Sequence, residues 1–298
     1  MRRIIVQLSI AILVAGSVLG LSACQNEADI VLASKPMTEQ YILAEMIIKL
    51  IEDNTDLTVD HRQGIGGGTA NIHPGMVSGE IDMYPEYTGT GWMIVLKEEF
   101  IGDPDLLYQS VKTGYDEAYD IAWLDLYGFN NTFALAVPDT LATELGLVTY
   151  TDLLDHDQDL KFGSNSDFFG REDGYPGLQT TYGLDFGETV EFGDIGLKYL
   201  AIANGEVDVI NVFSTDGRLE EFNLTVLEDD LNFFPSYYAT TLVRNEILEE
   251  YPELEGVLNM LAGQITNDDM IRMNYLVEIE KADPKQVALD FLEEKGLI

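Results

Sequence analysis

Aromatic side chains beside turn-forming residues are the feature of this sequence best suited to recognition chemistry. Tyr87 lies in "EIDMYPEYTGT" (80–90), Phe133 in "NNTFALAV", Phe213 in "NVFSTDGR" and Tyr237 in "FFPSYYAT". Each ring follows or begins a predicted strand, and α/β proteins bind ligands outside the carboxyl ends of their strands. Any one of these rings taken alone is more often a core residue, but their shared position favours a ligand-binding site.

Signatures of catalysis, of metal binding and of nucleotide binding are missing from the sequence. The histidines His61, His73 and His156 lack the spacing of metal ligands. The glycine-rich "GIGGGTAN" (64–71) lacks the Lys-Ser/Thr of a P-loop, and Thr69 stands where G-x-G-x-x-G needs its last glycine, so it predicts a tight turn before a helix. No G-x-S-x-G is present, and with 53 acidic residues carboxylate pairs arise by chance. We therefore expect no enzyme, no cofactor and no metal.

Short apolar runs alternate with helical patterns along the chain. "DIVLAS" (29–34) and "EIDMY" (80–84) predict strands, the second ended by Pro85, and the apolar face of 37–53 predicts a helix between them. This order of elements indicates an α/β protein with helices covering a largely parallel sheet. We expect two extended stretches, near 132–137 and 232–238, to divide the chain into two lobes with a cleft between them.

The N-terminus has the pattern of a secretory signal. Arg2 and Arg3 precede an apolar run, and the residues "LSA" precede Cys24, the sole cysteine of the sequence. This ending resembles a bacterial lipobox, which implies that residues 1–23 are a signal peptide and that Cys24 carries a lipid anchor. A plain signal peptide followed by an incidental cysteine is the alternative. A single cysteine also excludes a disulfide framework and a cysteine-based metal site.

The sequence is strongly acidic. It has 16 basic and 53 acidic residues and a formal net charge of −37 at pH 7. Without Arg2 and Arg3, 14 basic residues remain against the same 53 acidic ones, a net charge near −39. Such a surplus repels phosphate backbones, which excludes nucleic acid as a partner, and it keeps a protein soluble and favours cationic partners. Acidity of this size is also typical of a salty habitat.

Six longer motifs together resemble one known family, the substrate-binding lipoproteins of ABC importers for quaternary ammonium compounds such as glycine betaine, carnitine and choline. The motifs are "SKPMTEQYILAEM" (34–46), "GEIDMYPEYTGT" (79–90), "GFNNTFALAV" (128–137), "REDGYPGLQTTYGL" (171–184), "VDVINVFSTDGRL" (207–219) and "LEDDLNFFPSYYATTLVR" (227–244). The resemblance implies an α/β, two-lobed type II periplasmic-binding-protein fold with a hinged interdomain cleft. Lobe one would comprise 29–133 and 236–298, and lobe two 134–235.

The resemblance also implies an aromatic cage, commonly of four tyrosines, around the ligand. Its positions match Tyr87, Phe133, Phe213 and Tyr237, so two of the four rings lack the hydroxyl here. Tyr238 is the alternative to Tyr237, because adjacent residues of a strand face opposite sides. Tyr84 is more typical of a packing residue or a residue that supports the cage.

Polar residues in the same motifs complete the implied site. Lys35 of the "SK" motif and Arg171 of the "R-x-DG" motif match family residues that face the ligand's carboxylate, and Gln40 and Thr90 are further candidates. A guanidinium grips a carboxylate with two parallel hydrogen bonds and gains less from a hydroxyl. We therefore expect a preference for betaine-like zwitterions over choline.

A quaternary ammonium group has no N–H to donate, so the ring faces of a cage recognise it through their quadrupole and dispersion. The resemblance thus implies an extracytoplasmic, membrane-anchored solute-binding protein. This protein would be a monomer that captures an osmolyte such as glycine betaine and delivers it to the permease subunits of an ABC transporter. The alternatives are a protein of the same fold for another small ligand, such as an amino acid, and a ligand-binding enzyme on a similar two-lobed fold.

Overall fold

The computed structural model describes residues 28–170, 174–193 and 195–298, whose strands form two five-stranded sheets, one in each of two lobes. The strands are β1 (Ile30–Ala33), β2 (Val59–Arg62), β3 (Met83–Tyr87), β4 (Ile121–Trp123), β5 (Phe133–Pro138), β6 (Lys161–Asn165), β7 (Glu188–Phe192), β8 (Val209–Phe213), β9 (Leu224–Val226) and β10 (Ala239–Arg244). The first sheet has the order β2-β1-β3-β10-β4, and the second has the order β7-β6-β8-β5-β9. The first sheet is thus built from both ends of the chain.

One strand in each sheet runs against the others. β1 pairs in parallel with β2 and β3, whereas β10 pairs antiparallel with β3 and β4. In the second sheet β6 pairs in parallel with β7 and β8, whereas β5 pairs antiparallel with β8 and β9. β5 and β10 are the first strands after the chain passes from one sheet to the other, so each begins at the edge where its neighbours end. The prediction of largely parallel sheets is confirmed, with one reversed strand in each.

The helices cover the faces of both sheets. They are α1 (Thr38–Asn54), α2 (Thr69–Ser78), α3 (Pro104–Tyr119), α4 (Asp139–Leu145), α5 (Ser166–Gly170), α6 (Tyr175–Tyr182), α7 (Ile195–Ala203), α8 (Arg218–Glu221), α9 (Asn245–Glu250), α10 (Glu253–Leu258), α11 (Asn267–Glu278) and α12 (Pro284–Lys295). A π-helical segment, Thr90–Leu96, follows β3, and single 3₁₀ turns lie at Thr151–Asp155, Asp157–Asp159 and Asn259–Leu261. Among the described residues, none of the helices is both long enough and apolar enough to cross a membrane.

Helix α1 carries the core of the first lobe and delivers polar residues to the cleft. Its apolar side chains, such as Ile42, Met46 and Leu50, are fully buried, and the helix packs against α12 and α11. The sequence predicts this helix one residue earlier at each end, because apolar periodicity locates a helix well and its termini poorly. Glu39 and Gln40, in its first turn, are buried as well, although their side chains are polar.

Pro85 does not end the third strand, contrary to the prediction. β3 continues to Tyr87, and β10 pairs with it along its whole length, Thr241 opposite Pro85 and Ala239 opposite Tyr87. β1 pairs with β3 only at Met83. Beyond Met83 the strand therefore has a neighbour on one side alone, and a proline without N–H is tolerated where the ladder is one-sided. The extension carries Tyr87 to the edge of the sheet.

Candidate ligand-binding cleft

A cavity of about 600 Å³ lies between the two lobes, at the edges where β3 and β8 end. Its volume is in the range of about 300–1,000 Å³ that is usual for small-molecule sites. Six residues that the sequence predicts for the ligand line it: Lys35, Tyr87, Thr90, Phe133, Phe213 and Tyr237. The structure thus brings together side chains from distant parts of both lobes.

Strand register explains why the four rings meet. Ala239, the first residue of β10, pairs with Tyr87, the last residue of β3, so Tyr237 is carried to the same edge. In the second sheet Phe133, the first residue of β5, pairs with Phe213, the last residue of β8. Each lobe therefore contributes two rings, one from a strand that ends at the cleft and one from the chain that enters there.

Tyr87 is held from behind by two residues of α1. Its hydroxyl donates to Glu39 Oε1 (2.5 Å) and accepts from Gln40 Nε2 (3.2 Å), and its ring lies 4.8 Å from Lys35 Nζ. Burial and the neighbouring Glu39 carboxylate raise the pKa of Tyr87 well above 10.0, so the phenol stays neutral. Gln40 is fully buried and also donates to Pro85 O (3.1 Å), so it positions the ring from outside the cavity wall.

Lys35 forms a buried ion pair with Glu86, whose side chain is fully buried. Glu86 also accepts hydrogen bonds from Thr69 Oγ1 (2.6 Å), Tyr84 Oη (2.9 Å) and the Tyr87 backbone N–H (2.8 Å). The charge of Lys35 is therefore balanced within the protein, and its position over Tyr87 brings an ammonium to one face of that ring. Tyr84 takes no place on the cavity wall and supports Glu86 instead.

Tyr237 and Tyr238, the two residues before β10, make different contacts. Tyr237 lines the cavity and packs on Gly89, where a Cβ would lie 2.8 Å from its ring. The backbone of Tyr238 exchanges hydrogen bonds with Thr88, its carbonyl accepting from the Thr88 N–H (3.0 Å) and its N–H donating to Thr88 Oγ1 (3.1 Å). Thr90, the first residue of the π-helical segment, reaches the cavity from the same turn.

Eight further cavity residues carry polar side chains that the sequence analysis did not predict: Thr38, Glu39, Asn131, Thr215, Asp216, Arg218, Asn274 and Glu278. Several of them stand inside the motifs "MTEQ", "NNTF" and "STDGR", beside the residues that were singled out. Their positions next to a matched aromatic residue could have been used to predict them from the sequence.

Glu39 lies at the centre of a hydrogen-bond network in the cleft. It accepts from four neutral side chains: Tyr87 Oη, Asn131 Nδ2 (3.0 Å), Thr215 Oγ1 (2.7 Å) and Asn274 Nδ2 (3.4 Å). Burial raises the pKa of Glu39 above 4.5, and the four hydrogen bonds oppose that rise. The network joins α1, β3 and α11 to the residues that follow β8, so it spans the two lobes.

Among the described residues of lobe two, Arg218 is the cation that lines the cavity. Its Nη1 lies 3.4 Å from both carboxylate oxygens of Asp216, and its guanidinium lies 5.5 Å from the Tyr199 ring centroid. Glu278 of α11 lines the cavity on the first lobe, and burial raises its pKa above 4.5. Among the described residues, acidic groups thus outnumber basic ones around the cavity.

Two predicted residues lie outside the described residues, namely Arg171 and Cys24. Within the described ranges no group of three or more His, Cys, Asp or Glu side chains could hold a metal ion.

A family model described as the substrate binding domain of ABC-type glycine betaine transport systems, OpuAC, matches residues 28–294 of this sequence. The chain belongs to the OpuAC family. Members are substrate-binding domains of ABC transport systems, so the expectation that the chain is not an enzyme is confirmed. The family resemblance read from the six motifs is confirmed as well.

Relatives of the OpuAC chain cover nearly all of it. Ergothioneine transport permease/ergothioneine binding protein EgtU of Helicobacter pylori is 40% identical over 272 residues, 91% of this chain, and the chain spans only 48% of that protein's length. Carnitine transport binding protein OpuCC of Listeria monocytogenes is 34% identical over 295 residues, covering 96% of this chain and 95% of OpuCC.

A solved structure supports the architecture of this OpuAC member. A crystal structure described as a glycine betaine/carnitine/choline ABC transporter is 34% identical, covers 90% of this chain and 99% of its own, and superposes with a TM-score of 0.86. The expected two-lobed α/β fold of a periplasmic binding protein is thereby confirmed.

Proposed function

We propose that this chain captures a quaternary ammonium osmolyte, glycine betaine or a similar betaine, in its cleft and delivers it to the permease subunits of an ABC transporter. The observation that carries the proposal is that Tyr87, Phe133, Phe213 and Tyr237 line the same cavity. Ring faces attract an alkylated ammonium that has no N–H to donate. Several such contacts, at about 0.5–2 kcal/mol each, supply a large part of the roughly 8 kcal/mol of a micromolar complex.

The names of the family and of the relatives point to ligands that share one chemistry. Glycine betaine, carnitine and ergothioneine each carry a trimethylammonium group and a carboxylate. The cavity of about 600 Å³ has room for any of the three. The proposal is therefore a ligand class, betaine-type zwitterions, in which the cage takes the ammonium and Lys35, Arg171 or both face the carboxylate.

Calorimetric titration with glycine betaine, carnitine, ergothioneine, proline betaine and choline tests this proposal. We expect at least one zwitterion to bind with a micromolar or lower Kd, and tighter than choline. Glycine and alanine are the controls, because they keep the carboxylate and replace the alkylated ammonium by a primary one. Binding of amino acids without betaines would favour the other ligand class.

The location of the protein is the second part of the proposal. Cys24 follows an apolar run and the small residues "SA", which supports a signal peptide over 1–23 and a lipid anchor on Cys24. The protein would then work outside the cytoplasm as a monomer held at the membrane surface, where it meets the permease by diffusion in two dimensions.

A further inference from the structure

Two buried glutamates contact Tyr87, Glu86 at its backbone nitrogen and Glu39 at its hydroxyl, and their charges are balanced in different ways. Glu86 pairs with the ammonium of Lys35. Among the described residues, the donors to Glu39 are all neutral and come from Tyr87, Asn131, Thr215 and Asn274. Over the described ranges of the chain, no lysine, arginine or histidine nitrogen lies within 4.0 Å of the Glu39 carboxylate.

A buried carboxylate that lacks a counter-cation is costly, because hydrogen bonds replace only part of its hydration. The raised pKa of Glu39 expresses that cost. Glu39 is only 4% exposed, yet it belongs to the cavity wall. A cation bound in the cavity would offset the cost, so the wall at Glu39 is complementary to positive charge.

The two amides beside Glu39 strengthen this complementarity. Each turns its Nδ2 toward Glu39, and Asn274 Nδ2 also donates to the Thr215 carbonyl (2.8 Å). With the nitrogens so engaged, Asn131 Oδ1 and Asn274 Oδ1 lie on the other side of their amides, where both are buried and have no donor among the described residues. As far as the described residues go, the wall therefore holds one carboxylate and two carbonyl oxygens without a donor, all of negative charge or partial charge.

We propose that Glu39 is the residue that makes the cleft select a positively charged ligand, with the amide oxygens of Asn131 and Asn274 adding to the negative potential. This inference rests on the proposed function, since it assigns the charge preference within the same cleft. A quaternary ammonium cannot hydrogen-bond to the wall, but Coulomb attraction acts over several ångströms in a cavity of low dielectric. The rings also attract the ammonium. A ligand with an uncharged tert-butyl group in its place would keep the dispersion part of that attraction.

Pairs of ligands that differ only in this charge separate the electrostatic part of the attraction from the dispersion part. Glycine betaine is compared with 3,3-dimethylbutanoate and choline with 3,3-dimethylbutan-1-ol, in which carbon replaces the quaternary nitrogen. We expect the wild type to prefer each cation, and Glu39→Gln to lose about tenfold or more of that preference. Glu39→Asp, which keeps the charge, should retain most of it. Glu45→Gln, on the same helix but facing His61, is the matched control and should leave the ratio unchanged.

The wild type offers a second measurement that does not depend on a variant folding. Its preference for choline over the alcohol should rise as the pH is raised above 4.5 and Glu39 ionises. The other charged groups on the cavity walls are Lys35, Asp216, Arg218 and Glu278. Because burial also raises the pKa of Glu278, the same series is run on Glu278→Gln, where the rise should persist.

The outcomes divide cleanly between the two proposals. If Glu39→Gln keeps the wild-type preference, or if the wild-type preference is independent of pH, the rings alone select the cation and Glu39 does not. Either result leaves betaine capture intact. If the wild type binds no betaine and no choline, the proposed function fails and this inference fails with it.

Discussion

Phe133 and Phe213 stack on each other across the register of β5 and β8, with ring centroids 4.9 Å apart and planes inclined at 24°. No ligand group fits between rings at that separation, so the pair forms one apolar wall rather than two facing ones. Phe133 is backed by Phe168 (5.6 Å) and Phe234 (6.0 Å), whereas Phe213 is 45% exposed. We therefore expect Phe213 to meet the ligand and Phe133 to support it.

Phe213→Ala is expected to weaken betaine binding by about 1–2 kcal/mol while leaving the melting temperature nearly unchanged, because the ring is half exposed and contributes little to the core. Phe213→Tyr should bind like the wild type, since the added hydroxyl can reach solvent. Titration calorimetry and thermal melting check both. Phe100→Ala removes a ring of similar exposure away from the cavity and should not alter binding. Equal affinities of Phe213→Ala and the wild type would remove Phe213 from the cage.

Lys35→Met should destabilise the fold by about 3–5 kcal/mol, because it leaves the buried Glu86 without its counter-charge. The double variant Lys35→Met/Glu86→Gln should recover much of that loss. The free energy of unfolding in urea measures both. Lys49→Met breaks an exposed pair with Asp53 and should cost less than about 1 kcal/mol. A loss at Lys35 as small as the one at Lys49 would show that the pair matters little.

Arg171→Ala should weaken glycine betaine binding by roughly 2–5 kcal/mol and choline binding much less, because a guanidinium gains most from a carboxylate. Titration of both ligands into both proteins measures the difference. Arg218→Ala is run in parallel, since Arg218 lines the cavity and is the other guanidinium able to take this part. An equal loss for both ligands in Arg171→Ala would exclude Arg171 from the carboxylate site.

Glu39 should give the stability of the unliganded protein a negative pH slope. Its pKa is raised above 4.5 in the folded state, so above that value the folded chain holds a proton that the unfolded chain has lost. This contribution to the free energy of unfolding therefore falls as the pH rises from about 4.5 toward the folded-state pKa. Urea unfolding of the wild type and of Glu39→Gln at several pH values isolates it by difference. A pH profile that is the same in both proteins would contradict the prediction.

Cys24→Ala should release the protein from membranes. The anchor predicted from "LSAC" attaches to this thiol, and a protein held by two acyl chains stays on a bilayer whereas one without them does not. Phase partitioning in detergent compares the wild type and the variant after expression in a bacterium. Recovery of both proteins in the aqueous phase would favour the plain signal peptide.

Local patterns in the sequence were sufficient to predict helix α1 and the four aromatic rings that line the cavity. Apolar periodicity placed α1 within one residue at each end, and motif matches placed Tyr87, Phe133, Phe213 and Tyr237 beside the strand ends that line the cavity. These properties are local, because the period of a helix and the turn residues after a strand depend on residues that are close together in the sequence. The end of β3 was missed because the pairing with β10, distant in sequence, carries that strand past Pro85.

Only the tertiary structure decided which charges are balanced. Lys35 is satisfied by Glu86, and Glu39 gathers its donors from Asn131, Thr215 and Asn274, residues that lie far apart along the chain and meet only where the two lobes face each other. The physical reason is that burial and pairing set the free energy of a charge, and both depend on the packing of whole elements. The sequence has 53 acidic residues and does not distinguish Glu39 from the others, because its buried environment forms only when the chain folds.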